Sequence, residues 1–486
     1  MTEQSRATSA CVDFITRARW QDVTPEAADL AKRCVIDGLG VVLAGSTTQG
    51  STILRDYVRR TDGGAEATVF SRDLFRASAA SAALLNGASG HAMDWDDTQL
   101  STSADRIFGL LTHPTIPPLA AALAVGERIR ASGPQFLEAF LTGFEVECKI
   151  AEAIHPNHYK KGFHSSGTIG TFGAAAATAK LLRLDADATA NAIAIAASLC
   201  AGIRVNFGTM TKPLHVGRAA QNGVFAAELA AGGFTGGRDG LDGPWGFFEV
   251  FSAGGGMDAD RIVGRLGNPY TIVSPGVSIK PYPCGVLGHP SMDAMRSLVT
   301  AHDVQPEQIR AIRLRAGSNI LNPLRYRIAQ SELDAKFCPA FMLSAIALRR
   351  KAGIHEFTDA FVRSAPVQQM MVRVETILDP EIEARGFDKI RSIVEVDLDS
   401  GRCLAQEADE RYRGGPDRPF TREELHEKFT DCADLVLPGE ASAEALRVVE
   451  SLEQADDITA LVRILSATGA DRRDEFFGAA DAPLLA

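Results

Sequence analysis

The 486-residue chain is poor in several features at once. Its cysteines (Cys11, Cys34, Cys148, Cys200, Cys284, Cys338, Cys403 and Cys432) are scattered, with no Cys-x-x-Cys pair among them. That excludes a zinc ribbon, argues against an iron–sulfur cluster and points to reduced, buried thiols in a cytosolic protein. No uninterrupted apolar run reaches the roughly 18 residues that a membrane-spanning helix needs. The opening Met-Thr-Glu-Gln-Ser-Arg lacks the basic-then-apolar pattern of a signal peptide, so a cytoplasmic location is expected. Basic charge is in deficit. The net charge of −11 argues against nucleic acid or an anionic membrane as partner. No His-Glu-x-x-His motif, internal repeat or low-complexity segment is present, and no metal or other cofactor is expected.

What remains is an ordinary globular composition, 45% hydrophobic and 23% charged, on a chain long enough for two domains. Residues 1–270 read as helical. Thr24-Pro25-Glu26 supplies an N-cap, a proline at the first position and an acid in the first turn, with apolar residues following at helical spacing. Further helical patterns cover about 76–92, 116–131, 135–154, 166–182, 186–200 and 213–231. From residue 271 the character changes. Gln308 to Ala316 and Ser392 to Asp399 alternate as half-exposed strands do, with helical stretches around them, so 271–410 reads as a smaller α+β domain. Helical patterns return in 411–486, and this tail is expected to pack on the first domain.

Polar residues converge in four places. In Gly208-Thr-Met-Thr-Lys-Pro-Leu-His-Val-Gly-Arg the proline marks a helix start. The first turn carries Lys212, His215 and Arg218 where acids are favoured, so an anion docking there would relieve the penalty. The alternative is a lysine tip in water above a packed His215. Gly90-His-Ala-Met-Asp-Trp-Asp-Asp-Thr98 crowds three carboxylates. It reads either as a metal site that His113 joins with Asp94 and Asp97, or as a solvated helix end capped by Asp97 and Thr98. His155 to Thr168 gathers five basic or imidazole groups before Ser165-Ser166, which can cap the next helix. Lys280-Pro-Tyr-Pro-Cys284 is a stiff loop at the proposed domain junction.

Taken in order, His91-x-x-Asp94-x-Asp-Asp-Thr98, Thr112-His-Pro114, Gly162-Phe-His164, the 208–218 motif and Lys280-Pro-Tyr-Pro-Cys284 resemble the MmgE/PrpD family. Its members include 2-methylcitrate dehydratase, cis-aconitate decarboxylase and iminodisuccinate epimerase. The resemblance implies a mainly α fold: a large all-helical domain built from both chain ends (1–270 and 411–486) with an inserted α+β lid (271–410). It also implies a homodimer, metal-free chemistry at the domain junction and a small di- or tricarboxylate substrate. The catalytic positions it implies are Asp94, His113, His164, Lys212 and Lys280. Thr98, Ser166, His215, Tyr282 and His289 are placed on the substrate side. The lysines would clamp carboxylates and hold developing negative charge, a histidine would move the proton, and Asp94 would orient it. Dehydration of a 2-methylcitrate-type hydroxy acid is the expected reaction; epimerisation or decarboxylation is the runner-up, and a non-catalytic carboxylate binder is the rival of another class. Two departures stand out. Phe341 replaces a tyrosine that family members often show in the site, and the 98–113 loop looks long.

Overall fold

A computed structural model describes residues 6–103, 106–154 and 157–467, with 106–110 described by backbone alone. The fold is mainly α. Helix α1 (Pro25–Gly45) starts on the Thr24 cap, whose side chain accepts from Ala27 N. Helix α2 (Ala79–Ala92) starts on Ser78, which accepts from Ser81 N. Two antiparallel strands pair next, β1 (Gln99–Ser103) and β2 (Arg106–Thr112), and they take up most of the long stretch between 98 and 113. Next come α3 (Ile116–Ile129), α4 (Gly133–Ile154) and α5 (Gly170–Leu181).

Helix α6 (Thr211–Ala231) begins two residues before the expected Pro213. The first four N–H groups of a helix have no partner within it, so proline is tolerated anywhere in that turn and does not fix the first residue. Helices α2 and α6 cross through glycine. A Cβ added to Gly217 would lie 2.3 Å from Leu84 O, and one on Gly87 would lie 3.1 Å from Gly217 Cα. At Gly217 only hydrogen allows so close an approach, and at Gly87 a methyl group would be tight; the approach sets the start of α6 beside the end of α2.

In 271–410 a four-stranded sheet runs in the order β4–β3–β5–β6, from β3 (Ile309–Ala316), β4 (Val374–Leu378), β5 (Ser392–Leu398) and β6 (Cys403–Glu407). The alternation read in the sequence is that of β3 and β5, whose apolar residues are buried on one face. On the other face the β3 arginines meet acids of β5: Arg313 Nε donates to Glu395 Oε2 (2.8 Å) and Arg313 Nη1 to Asp397 Oδ2 (2.7 Å). Parallel strand β4 was not foreseen, because its Val374-Glu-Thr-Ile-Leu is mostly exposed and carries no clean period.

Among the described residues, the buried apolar side chains fall into three clusters. One joins α1, α2 and α3 to residues of the C-terminal helices, including Phe429, Leu446 and Leu461. A second runs from Tyr282 to Tyr412 and takes in Leu100 and Phe207. The third links Ala7 and Cys11 to α4, α5 and residues out to Ile262. Helix α7 (Arg422–Ala433) packs on α1. No described helix is long and apolar enough to cross a membrane.

Candidate active site

The site forms where α2 ends. Asp94 follows in the left-handed region (φ 51°), a conformation aspartate enters more readily than most residues. That turn brings its carboxylate inward. Lys212 Nζ, from the first turn of α6, donates to Asp94 Oδ1 at 2.7 Å; Lys280 Nζ donates to the same oxygen at 3.0 Å and to Asp94 O at 2.8 Å. The anion foreseen at the start of α6 therefore has a counterpart within the chain. All three groups are buried, so the reading of Lys212 as a tip in water is overturned. Burial alone would raise the Asp94 pKa, but the two ammonium groups outweigh it and hold the carboxylate well below its usual range. Burial lowers Lys212, and Asp94 opposes that shift.

Two more lysines act on the same turn. Lys336 Nζ donates to Ala92 O (2.9 Å) and Lys428 Nζ to Trp95 O (2.8 Å). Lys428 also pairs with buried Asp37 at 2.6 Å. Cations on carbonyls at a helix C-terminus satisfy groups that lack intrahelical partners and complement the dipole.

Asp96, Asp97 and Thr98 are all buried, which overturns the solvated helix end. The Asp97 carboxyl turns away from the cavity to accept from Thr115 N (3.2 Å) and Thr115 Oγ1 (2.8 Å). Burial, reinforced by Asp37, pushes its pKa up to about 8. The carboxylate beside the imidazoles is instead Asp96, which accepts from His91 Nδ1 at 3.0 and 2.8 Å. Among the described residues, the cluster with metal-ligand spacing is accordingly His91, Asp94, Asp96 and His113, not the expected set with Asp97. Its donors are engaged: Asp94 by two ammonium groups and Asp96 by His91. Thr98 exchanges backbone hydrogen bonds with Ser278 (2.9 and 2.8 Å), and its hydroxyl has no partner among the described residues.

His113 Nδ1 faces Asp97 O at 2.8 Å, so Nδ1 carries the hydrogen and Nε2 is left for the cavity. Its backbone N–H donates to Ser166 Oγ (2.9 Å). Ser166 thus holds His113 and does not cap its helix; His164 occupies the N-cap position of that turn. His164 Nδ1 lies 3.0 Å from His215 Nδ1, and its ring stands edge-on to Phe207. Burial lowers the pKa of His91, His113, His164 and His215, the last to about 4, and neighbouring cations or imidazoles add to each shift.

The remaining positions spread out. Tyr282 OH donates to Asp293 Oδ1 (2.6 Å), and His289 Nε2 donates to Cys284 O (3.1 Å). Both side chains pack against each other rather than against the imidazoles. Phe341 is fully buried against Phe357 and Phe361, outside the cavity. His155 lies outside the described residues. His91, Asp96, Lys336 and Lys428 were given no role from the sequence. The first two lie inside the quoted motif, and Lys336 lies five residues before Phe341. Nothing local marks Lys428.

A cavity of about 30 Å³ is lined by Asp94, His113, Lys212, Lys280, Tyr159 and Phe207, with a wall of apolar residues from 285–337. It holds a water or two, not a six-carbon tricarboxylate. Larger clefts of about 650 and 550 Å³ are open at the surface and contain no histidine.

Two buried lysines thus converge on one carboxylate, beside imidazoles whose pKa burial lowers. Residues 10–260 match the MmgE/PrpD N-terminal domain and residues 282–454 the MmgE/PrpD C-terminal domain, so the chain belongs to the MmgE/PrpD family of enzymes. It is similar to the cis-aconitate decarboxylase of Homo sapiens, with 27% identity over 454 residues and 91% of each chain covered. The enzyme of that name from Mus musculus is 28% identical over 447 residues, 90% of this chain and 88% of the relative. One from Aspergillus terreus is 22% identical over 486 residues, covering 95% and 96%.

Proposed function

We propose that the protein is a metal- and cofactor-independent lyase that decarboxylates an alkene tricarboxylate of the cis-aconitate type. The observation that carries this reading is the meeting of Lys212 and Lys280 on one carboxylate oxygen beside the cavity-facing His113. The relatives' names favour decarboxylation over the 2-methylcitrate-type dehydration expected from the sequence. A substrate carboxylate takes the place that Asp94 holds between the two ammonium groups. The C–CO₂ bond of the allylic carbon breaks, its electron pair forms a new C=C, and the old alkene carbon accepts a proton. A trianion and one proton become CO₂ and a methylenesuccinate dianion. His113 or His164 is the acid. Each is neutral in the protein alone, and a trianion among the lysines draws a proton onto the imidazole.

Thr98 and Ser166 border the substrate and the His113 backbone, and His215 supports His164. Residues 271–410 act as a lid that closes on the helical part, and the molecule works as a cytoplasmic homodimer. Binding alone would need the lysines but not the imidazoles, which is why an enzyme is preferred to a carboxylate-binding protein.

The test is incubation with cis-aconitate in D₂O, followed by CO₂ and NMR analysis. Release of CO₂ with one deuterium in the methylenesuccinate is expected. Turnover of 2-methylcitrate or epimerisation of iminodisuccinate, without CO₂ from cis-aconitate, would overturn it.

A further inference from the structure

Four imidazoles stand in a row between the cavity and the outside of the helical part. His113 lines the cavity. The centroid of its ring is 4.6 Å from that of His91, His91 is 5.5 Å from His164, and His164 is 5.2 Å from His215. The first three are buried, and His215 is partly exposed. The last pair is joined directly, Nδ1 to Nδ1, at 3.0 Å. One of those nitrogens therefore carries the hydrogen and the other accepts it. His91 and His113 each have Nδ1 tied down, by Asp96 and by Asp97 O. Their Nε2 atoms are the ones left to exchange a proton. The Nε2 atoms of His91 and His164 are fully buried and have no hydrogen-bond partner among the described residues.

We propose that this row is a proton path, with His215 as its outer end, Asp96–His91 as its midway station and His113 as its inner end. The inference rests on the decarboxylation reading, in which each turnover consumes one proton inside a closed cavity. The path moves protons only. A proton arriving at His215 leaves from Nδ1 to His164 Nδ1. His164 releases one from Nε2 to His91 Nε2, and His91 passes it to His113 Nε2, which gives it to the alkene carbon. Between rings whose centroids lie 5.5 and 4.6 Å apart, one water bridges the Nε2 atoms and leaves the Nδ1 bonds in place. Asp96, 3.4 Å from His113 Nδ1 as well as bonded to His91, stabilises the charge in passage. Lys212 and the neighbouring imidazoles oppose it, which keeps the row neutral between turnovers. His215 and His164 exchange tautomers with each passage and must return before the next.

The test separates conduction from mere hydrogen bonding. His215→Ala should lower kcat for cis-aconitate by about 10-fold or more with KM changed less than about 3-fold, and added imidazole should restore the rate. His215→Gln keeps a hydrogen bond to His164 but cannot carry a proton, so it should be as slow and not respond to imidazole. The second readout uses propane-1,2,3-tricarboxylate, which can bind but has no alkene to lose CO₂ through. Proton uptake followed with an indicator dye should keep pace with its binding in the wild type and lag behind it in His215→Ala. Wild-type rates in His215→Gln, or uptake that does not lag in His215→Ala, would overturn the path. No CO₂ from the wild type, with the uptake lag intact, would overturn the decarboxylation reading alone. Absence of tricarboxylate binding would overturn both.

Discussion

Asp97 shows how closely the site's residues divide their work. Its carbonyl fixes the His113 tautomer while its carboxyl fastens Thr115 at the start of α3. A carboxyl with a folded pKa near 8 binds its proton more tightly in the native than in the unfolded chain. Its contribution to stability is therefore complete below the unfolded pKa, near 4, and is lost as pH rises towards 8. Asn at this position keeps both contacts, with Oδ1 accepting from Thr115 N and Nδ2 donating to Thr115 Oγ1. Asp97→Asn should remove a fall of up to roughly 1.4 kcal/mol per pH unit. Thermal melts of both proteins from pH 5 to 8 measure it, and parallel curves would contradict the assignment. His91 and Asp96 teach another lesson. Both stood in a motif quoted for its Asp94, but in sequence nothing distinguishes the carboxylate that meets an imidazole from one that caps a helix, because the difference is a turn of backbone at Asp94.

At the scale of elements, the crossing of α2 and α6 brings Lys212 and Asp94 together. Gly217 sits on Leu84 O so tightly that a methyl group cannot fit without moving one helix. Lys212 lies five residues before it, and Asp94 lies just past the other helix's end. Gly217→Ala should lower stability by about 1–3 kcal/mol, the usual cost of overpacking. It should also lower kcat/KM well beyond what the melt explains; melting and kinetics measured together check this. Most helices were legible, since Ala-rich faces with caps such as Ser78 and Thr24 carry their own start signals. Strands β3 and β5 were legible through their alternation. The start of α6 was not, because proline suits any place in a first turn, and neither was β4, which has little buried surface to impose a period. The lysines at 212 and 280 could be found from their motifs. Lys336 and Lys428 could not, since their partners are backbone carbonyls, which every residue has.

For the molecule as a whole, the cavity's size matters most. With room for a water or two, it admits no tricarboxylate until the wall from 285–337 moves away from Lys212 and His113. Binding should then be gated. Stopped-flow traces with propane-1,2,3-tricarboxylate should give an observed rate that levels off at the opening rate as ligand rises. A rate that climbs linearly at the diffusion limit would mean that the cavity is open from the start. The tie from Lys428 to Trp95 O and Asp37 adds a different consequence, one of order in time. Lys428 and Trp95 are 333 positions apart, so during synthesis every imidazole of the site is made long before the last of the lysines that hold the Asp94 turn. A nascent chain released short of residue 428 carries all the acid–base groups but lacks this fastening of Trp95 to Asp37.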